Sequence, residues 1–575
     1  MFKLIKYLKN YKIQCIVAPL FKFLEASFEI VIPILTSLII DKGINVGGTP
    51  NKALVYKYTA LMLGMGVLGL TVALIAQYFS AVAGVGIGTV LRKECFYRLN
   101  RMSLADIDRL GQSSIVSKLT LDINQVSNGV NRFLRLFLRA PFIIIGAIIS
   151  SFILNVYMGI IILVGVPVIL FIVWFIGKLT VPRFKSIQQD NDDISRISKE
   201  NVEGVKVIRA FNAEDGERRN FDELSDNLAK KQIGASKISS LLNPLTYVIA
   251  NLMIIVVVYL GVGKVKTGIM TAGEITAMVN YILQILNAIF VLSNMIILLS
   301  KAQASAIRLN EFLSVPLSED LNGNGDLETN EKGTISFENV SFSYNDQTST
   351  LENVSFDVKT GETIGIIGGT GSGKTTLINL ISGLYKIDEG KIKIDGVDIN
   401  AYSNDQLRKK ISVAFQRFDL FDGTVESNLK VANPDATEDD MLEALKTAMA
   451  YDFVMQKDGL DTAVLEGGTN FSGGQKQRLN IARALTKKSE ILILDDSFSA
   501  LDYATDLSLR KNLKNIQDLT VLIISQRVSS VMGADKILVL EDGKIAGLGK
   551  HADLYETCEE YKEICDLQSI GGGNE

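Results

Sequence analysis

The stretch TIGIIGGTGSGKTTLINLISGLY, residues 363–385, decides the fold of the C-terminal half of the chain. Residues 368–375 match the phosphate-binding pattern GxxxxGK[ST], with an apolar strand-like run before them and a helix-like run after them. Glycines let consecutive backbone N–H groups wrap around phosphates, and the start of the helix adds its positive end. The pattern predicts an α/β P-loop nucleotide-binding domain. The predicted nucleotide-binding residues of this loop are Gly368, Gly369, Thr370, Gly371, Ser372, Gly373, Lys374, Thr375 and Thr376.

Three side chains in this domain have predicted roles toward ATP and Mg²⁺. Lys374 reaches the β and γ phosphates, and Thr375 offers its hydroxyl to Mg²⁺. The segment ILILDD, residues 491–496, is an apolar strand ending in two carboxylates, of which Asp495 is predicted to hold Mg²⁺ through water. The alternative, a strand end with solvated acids, is disfavoured by the phosphate loop upstream. We therefore predict ATP and Mg²⁺ as cofactors.

The N-terminal half has the composition of a membrane domain. Hydrophobic residues make up 47% of the 575 residues, and the long apolar runs lie before about residue 300. Six runs reach the roughly 20 residues that a membrane-spanning helix needs; they are 14–40, 57–85, 136–156, 158–178, 243–263 and 274–300. We predict a transmembrane helical bundle over residues 1–312, a polar linker over 313–333 and the nucleotide-binding domain over 334–575.

The distribution of basic residues predicts the orientation in the membrane. Lysine and arginine are frequent in the loops 90–135 and 180–240, whereas the connection around Leu154–Gly159 carries no charge. Basic loops favour the cytoplasmic side, so the N-terminus and the nucleotide-binding domain are predicted to be cytoplasmic in a multi-pass protein of the cell membrane. Both basic loops are predicted to be helical extensions of the spans. The net charge of −4 argues against nucleic acid as a partner.

Two carboxylates interrupt the first apolar run. Glu25 and Glu29 lie one helical turn apart on one face, with Lys22 three residues before Glu25. Charged groups inside a membrane tend to face the bundle interior or an aqueous cavity. One hypothesis is that Glu25 and Glu29 line a substrate cavity that accepts cationic or polar molecules. The alternative is a Lys22–Glu25 ion pair that only neutralises these groups.

A third string in the C-terminal half carries a family resemblance. The segment FSGGQKQR, residues 471–478, resembles the signature motif of ATP-binding cassette (ABC) transporters, and with six spans ahead of it the chain resembles an exporter half-transporter. The resemblance implies that two cassettes pair head to tail, with each ATP between the phosphate loop of one cassette and the signature of the other. It implies that the aromatic ring of Tyr344 stacks on adenine and that Gln416 senses the γ phosphate and Mg²⁺. The implied contacts to the partner's ATP are Phe471, Ser472, Gly473, Gly474 and Gln475.

The resemblance also implies two cytoplasmic coupling helices in the membrane half. They are expected near Ile107–Ser113 and near Phe211–Gly216, within the two long basic loops.

Two positions depart from the family pattern. Asp496 stands where hydrolysing members have the glutamate that polarises the attacking water, and Gln526 stands where they have a histidine that contacts the γ phosphate. The chain has one histidine, His551, which lies elsewhere. A shortening of roughly 1 Å at a catalytic group can lower a rate about 100-fold, and glutamine carries no positive charge toward the developing phosphate. The chain thus resembles the subunit with the degenerate ATP site in heterodimeric multidrug-type exporters.

The sequence therefore predicts an ATPase coupled to export of a small molecule, a lipid or a peptide. The expected partners are the lipid bilayer, the transported substrate and a second half-transporter that carries the glutamate and the histidine at the two departing positions. Two alternatives remain open: a homodimeric exporter with slow hydrolysis, and an ATP-gated channel or sensor.

Overall fold

Six long apolar helices dominate the first of two structural units, which comprises Met1–Tyr97 and Ser113–Ser314. The computed structural model describes residues 2–44, 50–317, 331–344 and 349–571. Among these residues, six helical stretches are long and apolar enough to cross a membrane, which confirms the six predicted spans. The stretches are Lys3–Ile44, Lys52–Leu99, Gln112–Leu154, Val156–Glu203, Glu214–Lys266 and Ala272–Ser314.

Several of these helices are much longer than a bilayer is thick. The helices starting at Lys52 and Val156 have 48 residues each, or about 72 Å at 1.5 Å per residue, against about 30 Å of hydrocarbon. Their excess length agrees with the predicted helical extensions. The α-helices before residue 315 are α1 (Lys12–Leu38), α2 (Lys52–Leu99), α3 (Leu104–Leu110), α4 (Gln112–Ser117), α5 (Ile123–Arg132), α6 (Arg139–Leu154), α7 (Val156–Glu203), α8 (Val205–Ala210), α9 (Glu214–Ser240), α10 (Leu242–Lys266) and α11 (Ala272–Ser314).

The uncharged connection between the third and fourth spans is shorter than the sequence predicts. Helix α6 ends at Leu154 and α7 begins at Val156, so that Asn155 alone connects them. Its backbone is extended, and its side-chain Oδ1 accepts hydrogen bonds from the N–H groups of Tyr157 at 3.1 Å and Met158 at 3.4 Å. Asparagine is a favoured helix N-cap because it satisfies the free N–H groups of the first turn, and this cap permits the one-residue turn.

The carboxylates of the first span are paired within the helical unit. Lys22 Nζ lies 2.5 Å from Glu25 Oε2, and Arg139 of α6 lies 2.5 Å from Glu29 and 3.5 Å from Glu25. Two cations thus neutralise two carboxylates in this structure. The Lys22–Glu25 ion pair of the alternative is present here, and Arg139, whose contribution the sequence did not reveal, pairs with both acids. The substrate-cavity hypothesis stays a prediction.

We expect Lys22→Met to destabilise the protein. The lysine is buried at 5% exposure, and removing one partner of a buried pair costs on the order of 3 kcal/mol because the other charge loses its counter-ion. The thermal unfolding midpoint in detergent should fall by several degrees. Lys199→Met is the matched control: Lys199 pairs with Glu203 at 3.7 Å with both side chains largely exposed, and such pairs contribute little. Equal midpoints for the two variants would contradict the prediction.

The second unit comprises Arg98–Gln112 and Val315–Glu575 and is built on three β-sheets. Most of the predicted linker 313–333 lies outside the described residues, at 318–330. The strands are β1 (Ile335–Phe342), β2 (Leu351–Val358), β3 (Thr363–Gly368), β4 (Glu389–Ile394), β5 (Val397–Asp398), β6 (Ile411–Ala414), β7 (Gly423–Thr424), β8 (Ala463–Val464), β9 (Ile491–Asp495), β10 (Thr520–Ile524), β11 (Lys536–Glu541) and β12 (Lys544–Gly549).

The largest sheet is mainly parallel. Its strand order is β12-β11-β3-β10-β9-β6, and only β12 at the edge runs antiparallel to its neighbour. Every residue of β9 and β10 is buried, as expected for parallel strands covered by helices on both faces. A four-stranded antiparallel sheet, β2-β1-β4-β5, and a short β7-β8 pair complete the strands of the described residues.

Helices accompany these sheets along the chain. They are α12 (Lys374–Ile381), α13 (Asn404–Lys410), α14 (Val425–Lys430), α15 (Glu438–Thr447), α16 (Tyr451–Met455), α17 (Gly473–Thr486), α18 (Tyr503–Lys514), α19 (Val528–Val531), α20 (His551–Thr557) and α21 (Glu559–Gly571). The alternation of strands and helices gives the predicted α/β architecture.

One short helix from the membrane half groups with the second unit. Helix α3 lies where the first coupling helix is expected, and the Tyr385 hydroxyl donates a hydrogen bond to Asp108 on it. Burial, and the Asp108 carboxylate beside it, raise the pKa of Tyr385.

The range expected for the second coupling helix holds a turn and the start of a long helix. Helix α8 ends at Ala210, and α9 begins at Glu214. Between them, Asn212 has a φ of 54°, a left-handed conformation that interrupts a helix. The assignment of a coupling helix near Phe211–Gly216 stays a prediction.

Candidate nucleotide site

The carboxyl ends of the five parallel strands lie at one edge of the six-stranded sheet. In the register, Ile524 at the end of β10 pairs with Asp495 of β9 and with Ile366 of β3. Ligands of open α/β sheets bind at this edge, and a cavity of about 300 Å³ opens here. Its lining residues are Thr350, Thr370, Gly371, Gly373, Lys374, Thr375, Thr376, Gln416, Asp495, Asp496, Ile524, Ser525 and Gln526.

The loop between β3 and α12 has the backbone shape that its glycines permit. Gly371 and Gly373 have φ values of 89° and 98°, a region that side chains with a Cβ rarely adopt. A Cβ on Gly373 would also lie 2.6 Å from Leu351 Cδ2. Helix α12 begins at Lys374 directly after this turn, so that its first N–H groups are near the loop and form an anion-binding helix start.

Lys374 lies against the backbone of its own loop. Its Nζ donates hydrogen bonds to the carbonyl oxygens of Gly368 at 2.9 Å and Gly369 at 2.6 Å, and to Ser372 Oγ at 3.2 Å. Burial lowers the pKa of Lys374, while the carboxylates of Asp495 and Asp496 act in the opposite direction. The ammonium is thus held at the mouth of the loop, where phosphate oxygens can replace the carbonyl acceptors.

Three predicted Mg²⁺ ligands line the same cavity. Thr375, Gln416 and Asp495 offer a hydroxyl, an amide oxygen and a carboxylate, which are the hard oxygen donors that Mg²⁺ prefers. Burial raises the pKa of Asp495 to about 6, and the neighbouring Asp496 adds to the rise. A bound divalent cation favours the ionised carboxylate, so these residues suit the ion.

The two departing residues lie in this cavity beside the intact loop. Asp496 has a φ of 46°, its N–H donates to Ile524 O at 2.9 Å, and its Oδ2 accepts from Gln416 Nε2 at 3.3 Å. Gln526 is exposed in the loop after β10. The structure therefore brings the phosphate loop, the Mg²⁺ carboxylate and both altered positions to one cavity.

The remaining predicted residues lie outside this lining. Ser472 is the N-cap of α17, where its hydroxyl and the Gln475 side chain form a reciprocal capping box. Tyr344 accepts a hydrogen bond from Asn379 Nδ2 at 3.2 Å and packs edge-on against Tyr385. The signature thus forms a separate helix start in the same unit.

Comparisons with known proteins identify the family. Residues 15–289 match the model of the ABC transporter transmembrane region, and residues 351–499 match the ABC transporter ATP-binding model. The chain is 33% identical over its whole length to the "uncharacterized ABC transporter ATP-binding protein YfiB" of Bacillus subtilis, covering 99% of that protein. The chain belongs to the ABC transporter family. It is an exporter-type ABC transporter with fused transmembrane and ATP-binding domains, an ATPase coupled to transport in the cell membrane.

Further relatives agree with this assignment. The ABC transporter is 31% identical to the "ATP-dependent lipid A-core flippase" of Pasteurella multocida, with 83% of each chain covered. It is 30% identical to the "putative multidrug export ATP-binding/permease protein YgaD" of Bacillus subtilis, with 98% of each covered. Its fold matches the structure of a bacterial Atm1-family ABC exporter with ATP bound, at a TM-score of 0.81, 23% identity and 98% coverage of both chains.

Two glutamines of this ABC transporter that were not among the predicted site residues hold segments of the site by hydrogen bonds. Gln477 of α17 contacts the segment after β9. Gln568 of α21 donates from Nε2 to Gln526 O at 2.7 Å, and its Oε1 accepts from Val528 N at 2.8 Å. Sequence reasoning missed Gln568 because it follows Gln526 by 42 residues on an unremarkable helix. Gln477 lies within the FSGGQKQR string, which could have drawn attention to it.

We expect Gln568→Ala to weaken binding of ATP but not of ADP. The variant removes two hydrogen bonds, each worth about 1 kcal/mol, from the loop that carries Gln526, the residue predicted to contact the γ phosphate. The Kd of a fluorescent ATP analogue should rise about fivefold, whereas the Kd of the ADP analogue stays unchanged. Leu567→Ala, an exposed neighbour at 65% exposure, is the control. An equal rise in the Kd values of the ATP and ADP analogues would refute the prediction.

Proposed function

We propose that this chain is one half of an asymmetric exporter and carries the ATP site that hydrolyses slowly. The observation that supports the proposal is the placement of Asp496 and Gln526 in one cavity with an unaltered phosphate loop. Binding and turnover depend on different groups. The groups that bind ATP are retained, whereas two groups needed for turnover, at positions 496 and 526, are changed. This combination favours a site that holds MgATP well and hydrolyses it slowly.

In this proposal the binding groups act as the motifs imply. The loop N–H groups and Lys374 hold the phosphates, and the ring of Tyr344 stacks on adenine. Thr375, Gln416 and Asp495 hold Mg²⁺, which neutralises charge on the β and γ phosphates when bound.

Hydrolysis is slow, in this proposal, for two reasons. The Asp496 carboxylate is one methylene shorter than glutamate, and Gln416 Nε2 lies 3.3 Å from it, so it is poorly placed to polarise water. Gln526 can donate a hydrogen bond to the γ phosphate but supplies no positive charge there.

The signature of this chain serves the second ATP site. ABC exporters dimerise, and Phe471 through Gln475 retain the composition needed to complete the site of a partner cassette. We propose a different half-transporter as that partner, with glutamate and histidine at the positions of Asp496 and Gln526. A homodimer with slow hydrolysis and an ATP-gated channel or sensor are the competing outcomes.

Our proposal for the substrate class is based on the relatives and on the charge of the helical unit. Related proteins are named as a lipid A-core flippase and a multidrug exporter, and we propose an amphipathic small molecule, lipid or peptide for this chain. Pairing of Glu25 and Glu29 with Lys22 and Arg139 argues against a dedicated cation site at these carboxylates.

The double variant Asp496→Glu/Gln526→His tests the slow site. We expect the purified full-length chain, reconstituted in lipid, to hydrolyse ATP slowly and the double variant to do so about tenfold faster or more. Adding Lys374→Ala to the double variant should abolish the gain. A parent rate equal to that of the double variant would support a competent homodimer instead. The subunit composition of the complex purified from native membranes separates the hetero- and homodimer.

A further inference from the structure

The side chain of Gln477 uses its whole amide within the second unit. Its Nε2 donates to Asp496 O at 3.0 Å and to Ser499 Oγ at 3.2 Å, and its Oε1 accepts from Ala500 N at 3.0 Å. The residue is only 6% exposed. A buried amide with every group satisfied holds its partners in fixed positions.

The backbone that Gln477 holds has an uncommon conformation. Asp496 has a φ of 46°, in the left-handed region that residues with a Cβ adopt less readily than glycine does. Such a conformation persists only where the surroundings determine it. The carbonyl oxygen of Asp496 accepts from both Gln477 Nε2 and Ser499 Oγ, the latter at 2.9 Å. These two donors therefore help set the direction of the Asp496 carboxylate at the cavity.

The same glutamine stands on the signature helix. Gly474 and Gln477 are three residues apart and so share a face of α17. A Cβ on Gly474 would lie 3.0 Å from Ala500 O, so the start of α17 packs directly on the segment 499–500. The contacts run without interruption from the signature, through Gln477, to Asp496.

We propose that Gln477 is a positioning residue that makes the signature helix, the segment 499–500 and Asp496 move as one body. It would thereby couple the signature, which serves the second ATP site, to the base position of this chain's own site. The inference rests on the proposed function, which assigns one ATP to the phosphate loop and a second ATP to the signature. It does not depend on whether the partner chain is the same or different. Gln477 does not line the cavity, so it acts through Asp496 and Ala500.

The test is Gln477→Met in the purified full-length transporter. Methionine has a similar volume and removes all three hydrogen bonds. We expect kcat for ATP to fall about tenfold or more, because loss of the hydrogen bonds to Ala500 and Asp496 releases the start of the signature helix, which serves the faster ATP site, and misplacement by a fraction of an ångström there is costly. KM for ATP should change by less than about twofold, because the phosphate loop is untouched, and such a kcat-only loss marks an interaction realised in the transition state.

A matched control and a second variant separate positioning from general stability. Asn512→Leu removes another half-buried amide, whose Nδ2 donates to Thr447 O at 3.3 Å and not to the segment 496–500, and should leave kcat unchanged. Gln477→Glu is isosteric, keeps the acceptor for Ala500 N–H and loses the donor to Asp496 O. We expect it to lose kcat as Gln477→Met does. Parental kcat in either variant at position 477 would overturn the inference.

A double-mutant cycle tests the shared carbonyl. Ser499→Ala removes the second donor to Asp496 O, and residues that act on one group give non-additive losses. The double variant Gln477→Met/Ser499→Ala should be no slower than Gln477→Met within about twofold. If the fold-losses in kcat of the two single variants multiply in the double variant, the inference is overturned. Unchanged ATP photolabelling in Lys374→Ala would instead remove the nucleotide-site assignment, so the two failures are distinguishable.

Discussion

Lys374→Ala is expected to abolish ATP binding at this chain's own phosphate loop. The lysine supplies an ammonium at the loop, with its Nζ within 2.9 Å of two loop carbonyls, and charge-assisted hydrogen bonds to phosphate are among the strongest in proteins. We expect photolabelling by an azido-ATP analogue to fall at least about 100-fold, on the order of 3 kcal/mol. The fold should persist, because the hydrogen bonds of Lys374 Nζ stay within its own loop.

Lys430→Ala is the control for this prediction. Lys430 pairs with Glu426 along helix α14 at 2.6 Å and does not line the cavity. Its removal should leave labelling unchanged. Full labelling of Lys374→Ala in the purified complex would show that nucleotide binds elsewhere.

The parts of the site that the sequence predicted share one physical property. The phosphate loop and Asp495 each directly follow an apolar strand, and parallel strands place their carboxyl ends at one edge of a sheet. Local pattern and sheet geometry together are enough to bring Lys374, Asp495 and Gln526 to one cavity. Six spans were likewise predictable because bilayer thickness imposes a minimum apolar length.

The parts that the sequence did not predict depend on contacts between distant segments. Arg139 pairs with Glu29 across 110 residues, and no periodicity in α1 reveals that partner. Gln568 and Tyr385 reach residues 42 and 277 positions away, through packing that only the folded chain defines. The turn between α8 and α9 was likewise not predicted, because a single left-handed residue, Asn212, interrupts the helix there.

Ser472→Ala is expected to depress the ATPase activity of the complex far more than Asp496→Asn does. Ser472 caps α17 through the N–H of Gln475, and loss of such a cap costs about 1 kcal/mol, so alanine should disturb the helix start that serves the partner's ATP. In the asymmetric proposal that ATP is the one that turns over quickly. We expect Ser472→Ala to lower the ATPase rate of the complex about tenfold or more. A change of the partner's glutamate to glutamine should nearly abolish the ATPase activity of the complex.

Asp496→Asn should lower the ATPase rate of the complex by less than about twofold in the same assay. A site that already hydrolyses ATP slowly contributes little to the total rate. The asparagine keeps the volume of the side chain and leaves the Asp496 backbone bonds to Ile524 and Gln477 available, so loss of the fold does not confuse the comparison. ATPase rates of the three variants, measured in one purified complex at saturating MgATP, give the ordering. Equal damage from Asp496→Asn and Ser472→Ala would mean that this chain's own site hydrolyses ATP productively. In that case the aspartate is an adequate base, and the homodimer becomes the better description of the transporter.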